Sequence, residues 1–129
     1  MSIARAHTIL YVHDQPRSAR FWQQTLGIAP TLDVPGMTEF PLLGGSVLGL
    51  MPEDGIARLL PTMPRPHAAS GIPRAELYLV VEDPAAFHGR ALAAGAKELS
   101  ALQPRDWGDE AAYSLDPDGH VVAFARPVG

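Results

Sequence analysis

His7-Thr-Ile-Leu-Tyr-Val-His-Asp14 recurs in outline as Glu76-Leu-Tyr-Leu-Val-Val-Glu-Asp83. Each copy reads as a strand followed by a helix, because side chains that alternate across two faces give way to an aspartate suited to capping a helix. After Asp14 the helical stretch closes at Leu26-Gly27, and after Asp83 another closes at Ala94-Gly95, within one residue of the same spacing. Farther on, Gly44-Gly45 precedes Ser-Val-Leu-Gly-Leu-Met51, and Asp118-Gly119 precedes His-Val-Val-Ala-Phe-Ala125. Two modules of roughly fifty residues are too few for a solenoid and fit a pseudo-symmetric pair. The expected fold is α+β, with two βαβββ modules whose curved mixed sheets surround a cleft and carry their helices on the outer face. One domain spans 1–129: module one at 3–55, a Pro-rich linker at 56–73 and module two at 74–127. The cleft is the expected place of function.

The 129 residues can bury about two-thirds of the unfolded surface, so no staple is needed. Cysteine is absent, which removes disulfides, thiolate metal sites and cysteine nucleophiles together. The opening Met1-Ser-Ile-Ala-Arg-Ala-His7 lacks the apolar run of a secretion signal, and no stretch is apolar for long enough to span a bilayer. A cytoplasmic protein without a membrane partner is expected. With a formal charge of −4 and no basic run, nucleic acid is not an expected partner.

Residues 6–13 place His7, Ile9, Tyr11 and His13 on one face and Thr8, Leu10 and Val12 on the other. In the repeat, Leu77, Leu79 and Val81 take the core-seeking phase, while Glu76, Tyr78 and Val80 take the mixed one. Helix one has Asp14 as cap, Pro16 in its first turn, Phe21, Trp22 and Leu26 as anchors and Gly27 as its stop. Helix two repeats this with Asp83, Pro84, Phe87, Ala91 and Gly95. Strands are expected at 28–33, 38–43 and 46–51, then at 97–102, 111–115 and 120–126. Pro61, Pro64, Pro66 and Pro73 exclude a regular helix or central strand from 56–73, leaving either a plain connector or an arm over a cleft or partner.

The ordered pieces His7-Thr8, Phe21-Trp22 with Leu26-Gly27, and Asp116-Pro-Asp-Gly-His120 make the chain resemble the vicinal oxygen chelate superfamily. That group takes in glyoxalase I, extradiol dioxygenases, fosfomycin-resistance enzymes and bleomycin-resistance proteins. The stretch Arg105-Asp-Trp-Gly-Asp109 is similar to its drug-binding, bleomycin-resistance side. Metal ligands in catalytic members map onto His7, Gly49, Glu76 and Ala123, two of which have no donor atom. The resemblance therefore implies a protein without metal or other cofactor. It also implies a homodimer.

Trp107 is a large apolar group in a polar loop, and it heads the expected ligand contacts, with Phe40, Met51, Tyr78 and Tyr113 completing an apolar cleft. Gly49 and Ala123 are expected to leave room there. His7 and Glu76 occupy equivalent strands; they are a gripping pair for a polar ligand or, alternatively, an acid–base couple. His13, His67, His88 and His120 lack the spacing of a helical zinc site, and no nucleophile elbow, phosphate loop or dinucleotide fingerprint occurs. Glu39, Glu53, Asp54, Asp109 and Glu110 would welcome a cation if they rim the cleft. The expected function is metal-free binding of a small aromatic or amphipathic compound, an antibiotic or natural product, for resistance or self-protection. The alternative is a lyase, isomerase or dioxygenase with altered ligands.

Overall fold

A computed structural model describes residues 2–69 and 73–128. Its elements run β1 Ala6–Val12, α1 Gln15–Leu26, β2 Leu32–Val34, β3 Met37–Pro41, β4 Ser46–Pro52 and α2 Glu53–Leu59, then β5 Glu76–Val80, α3 Pro84–Ala93, β6 Lys97–Pro104, β7 Asp109–Leu115 and β8 Val121–Pro127. The strands form two four-stranded sheets with the same connectivity, β1-β4-β3-β2 and β5-β8-β7-β6. In each, the first strand pairs parallel with the last, and the remaining pairs are antiparallel. This α+β arrangement is the repeat seen in the sequence. Described residues 2–23 with 28–69 make one compact unit, and 24–27 with 73–128 make the other.

The helix boundaries follow from local chemistry. Asp14 Oδ1 accepts the Arg17 N–H at 3.0 Å, and Asp83 Oδ1 accepts the Ala86 N–H at 3.1 Å, so each aspartate satisfies a donor that the first turn leaves open. Gly27 and Gly95 end the helices at φ 72° and 113°, where a Cβ would be strained.

In the first unit, Leu48, Leu50, Phe40 and Val12 are fully buried. The strand register puts them on one face with Thr8, Leu10 and Thr38. Gln15, the first residue of α1, donates to Thr38 Oγ1 at 2.9 Å, which identifies this as the face that α1 covers. In the second unit, Phe124 of β8 meets Phe87 of α3 at 5.3 Å between ring centroids, and Arg90 stacks over Phe87 at 4.3 Å. Phe124, fully buried, contributes about 1.5–3 kcal/mol from apolar area alone. His88 is buried and ties α3 to β6 through Glu98 Oε2 at 2.8 Å.

Two expectations are corrected. Residues 56–59 of the linker are helical, because α2 begins at Glu53 and ends before the first proline, Pro61. Glu53 and Asp54 stand in its first turn, where the helix dipole favours negative charge, and Ile56 and Ala57 are buried. Pro66–Ala68 adds one 3₁₀ turn; residues 70–72 of the linker lie outside the described set. The strand expected at 28–33 shrinks to Leu32–Val34, since Thr31 is the first residue that reaches β3, through Glu39 O at 2.9 Å. Leu10 is only partly covered, although it holds the helix-facing phase.

Candidate functional site

The register of β5, β8 and β7 decides what shares a surface in the second unit. Tyr78 pairs with Ala123, which pairs with Tyr113; Glu76 pairs with Val121, which pairs with Leu115. Side chains alternate, so Glu76, Tyr78, Ala123, Tyr113 and Asp109 occupy the face opposite Phe124 and α3. Between β6 and β7 the chain turns through Arg105–Asp109, closed by Arg105 N–H on Asp109 O at 2.7 Å, with Gly108 at φ 95°. The turn delivers Trp107 to the same face. Its indole Nε1–H donates to Tyr78 Oη at 2.9 Å, and the Tyr78 hydroxyl donates to Asp109 Oδ2 at 2.6 Å.

This chain has a direction. The short O–H···O contact is that of a charge-assisted bond ending on a carboxylate. Burial, and then the bond to Asp109, push the Tyr78 hydroxyl above its ordinary value, partly opposed by the Trp107 N–H. It therefore stays protonated and donating at neutral pH. Burial and the nearby Glu76 charge raise Tyr113 as well, against the lowering effect of Arg105. The Arg105 guanidinium lies 5.2 Å from the Tyr113 ring centroid and donates to Ala111 O at 2.7 Å and Ser100 Oγ at 2.8 Å. Both the turn and the tyrosine are thereby fixed. Trp107 remains 59% exposed, a large aromatic surface held in place by its edge.

In the first unit, the corresponding face carries His7, Ile9, Tyr11, Val47, Gly49, Met51, Met37 and Glu39. His7 Nδ1 lies 3.6 Å from Glu39 Oε2, and His7 borders an open depression with Ala4 and Arg5. His13 is exposed and faces Glu53 at 3.4 Å.

Of the residues singled out from sequence, the second unit brings Tyr78, Trp107, Tyr113 and Glu76 together on one face. Met51 shares the open face of the first unit with His7. Phe40 belongs to neither: it is fully buried on the face that α1 covers, because β3 turns Glu39 rather than Phe40 to the open side. The room expected at Gly49 is taken. A Cβ there would meet Ile9 Cγ1 at 3.1 Å and Met37 Sδ at 3.4 Å, and Ala123 is fully buried. Asp109 and Glu39, expected from sequence only as acidic groups that would welcome a cation, acquire specific partners here. Asp109 accepts from Tyr78 through pairing across three strands. Glu39 approaches His7 likewise through the β3–β4–β1 register.

The four positions that correspond to metal ligands do not fit a divalent ion. Gly49 and Ala123 have no donor atom, and the space over Gly49 is filled by Ile9 and Met37. Among the described residues, no three His, Asp or Glu side chains gather as an ion would require.

Residues 4–124 match the family profile of the Glyoxalase/Bleomycin resistance protein/Dioxygenase superfamily. Among solved structures, a glyoxalase-related enzyme from Fulvimarina pelagi is similar at 26% identity and a TM-score of 0.79, covering 96% of this chain and 91% of that one. A glyoxalase/bleomycin resistance protein/dioxygenase family enzyme from Burkholderia phytofirmans PsJN shares the fold at 19% identity and TM-score 0.80, over 95% and 97% of the two chains. TioX from Micromonospora sp. ML1 shares it at 18% identity and TM-score 0.62, over 96% and 98%. The chain has no match among curated proteins.

Proposed function

We propose that this chain, which belongs to the Glyoxalase/Bleomycin resistance protein/Dioxygenase superfamily, binds and sequesters a planar aromatic cation without a metal, on the Trp107 face of its second unit. The observation that carries this reading is the hydrogen-bonded series Trp107–Tyr78–Asp109, which locks an exposed indole beside a carboxylate. A ring stacked on a pre-oriented indole gains on the order of 1 kcal/mol beyond the area it buries, and little entropy is lost in ordering the site. Glu76 and Asp109 supply negative charge on the same face, which favours a cationic ligand over a neutral or anionic one. Sequestration requires affinity and no reacting group, which agrees with a donor set that does not fit a metal. A natural product or antibiotic with a flat, positively charged ring system has this chemistry.

Calorimetric titration with proflavine, a planar aromatic cation, and with bleomycin tests the reading. Trp107→Ala is expected to weaken binding of the recognised probe by at least about tenfold with the fold intact. Equal affinities for wild type and variant would remove Trp107 from the site. Failure of both probes to bind would count against a cationic ligand on this face.

A further inference from the structure

The first unit contains a groove of about 510 Å³ between α1 and the β2–β3 hairpin, a volume in the range of small-molecule sites. Pro16, Ala19, Arg20 and Gln23 form one wall, spaced i, i+3, i+4 and i+7 so that they make a single stripe along α1. Asp33, Val34 and Pro35 form the other. The walls are tied together by Gln15. Its Nε2 donates to Val34 O at 2.8 Å and to Thr38 Oγ1 at 2.9 Å, while its Oε1 accepts the Gly36 N–H at 3.0 Å. Thr38, fully buried, passes its own hydroxyl hydrogen to Asp33 Oδ1 at 2.9 Å. One oxygen of Asp33 is thus anchored, and its position is fixed for a ligand.

Opposite charges face this groove from opposite walls. Among the described residues, Arg20 and Asp33 form no ion pair with each other, and Arg20 has no other partner. Unpaired with each other across the groove, both groups would gain from one ligand that carries both signs. Between them, Pro16, Ala19, Val34 and Pro35 offer apolar surface.

We propose that this groove binds a small zwitterion of the α-amino-acid class. Its carboxylate lies on Arg20 and the Gln23 amide, its ammonium on Asp33, and its apolar side chain against the prolines and Val34. The inference does not depend on the Trp107 site, since every residue it uses lies in the first unit.

The test is an NMR titration of ¹⁵N-labelled protein with L-leucine, N-acetyl-leucine, which keeps only the anion, and leucinamide, which keeps only the cation. For nine heavy atoms a dissociation constant on the order of 1 mM is expected for leucine. Shift changes should be confined to 15–23 and 33–36, including the side-chain amides of Gln15 and Gln23. Arg20→Ala and Asp33→Asn should each weaken leucine by about fivefold or more, and both blocked compounds should bind more weakly than leucine. Arg20 is exposed, and an asparagine at 33 retains an acceptor for Thr38, so both variants should fold. Equal binding of leucine and N-acetyl-leucine, unchanged binding in Arg20→Ala, or no shifts in the groove at tens of millimolar, roughly tenfold above the expected constant, would overturn the proposal.

Discussion

Replacing Tyr78 with phenylalanine removes one oxygen and breaks two hydrogen bonds at once. The hydroxyl donates to Asp109 at 2.6 Å and accepts from Trp107 at 2.9 Å. A bond to a charged acceptor contributes about 1.5–3 kcal/mol when protected from water, and a neutral one about 1 kcal/mol. Here water can replace both partners, because Trp107 is 59% exposed and Tyr78 is only partly covered, so the expected cost falls to about 1 kcal/mol. Urea denaturation measures it. The greater effect is on order at Trp107, whose indole loses the contact that orients its edge. Of the two indole N–H signals in a ¹⁵N spectrum, that of buried Trp22 should stay and that of Trp107 should shift and exchange faster with water. A double-mutant cycle with Asp109→Asn isolates the pair, and coupling of about 0.5–1 kcal/mol is expected. Additivity within about 0.3 kcal/mol, together with an unmoved Trp107 signal, would refute the reasoning.

Gly49→Ala should destabilise the first unit by about 1 kcal/mol, because the new methyl meets Ile9 Cγ1 at 3.1 Å; a neutral or stabilising result by denaturant unfolding would show that Ile9 and Met37 move aside. Asp116 is buried, with Oδ1 accepting the N–H groups of Asp118 and His120 and Oδ2 having no hydrogen-bond partner among the described residues. Burial raises its carboxyl above the ordinary value despite the nearby His120, so its favourable contribution is present below the unfolded value and is lost as pH rises through the folded one. Asp116→Asn keeps the Oδ1 acceptor, and thermal unfolding compared at about pH 3, below the ordinary aspartate value, and at about pH 7 should show a smaller decline than wild type. A homodimer is expected by light scattering at tens of micromolar, about where a modest interface fills, since edge strands β1 and β5 leave Ile9 and Val80 exposed; a monomer would refute it.

The architecture is legible in the amino-acid pattern alone. Alternation in His7–Val12 and Glu76–Val81, aspartates before each helix and glycines after it are local signals, and local signals suffice where the backbone pattern is periodic and repeated. The sequence also drew attention to Trp107, Tyr78 and Tyr113, since an aromatic in a polar loop and tyrosines on the mixed face of a strand are visible without contacts. It erred where the outcome depended on partners distant in the chain. The linker prolines concealed α2, whose four final residues precede them. Gly49 suggested empty space, but Ile9 and Met37 converge on it from neighbouring strands.

Which face each aromatic joins, and which groups it meets, depends on how the strands pair. Phe40 and Glu39 are adjacent in sequence and lie on opposite faces of the sheet, and a shift of one residue in β3 would exchange them. Asp109 receives the Tyr78 hydroxyl because β8 lies between their strands in a register that no local pattern fixes. Hydrogen bonds between residues 29 and 31 positions apart depend on ångström-scale placement, whereas a helix stop or a strand face depends only on its immediate neighbours.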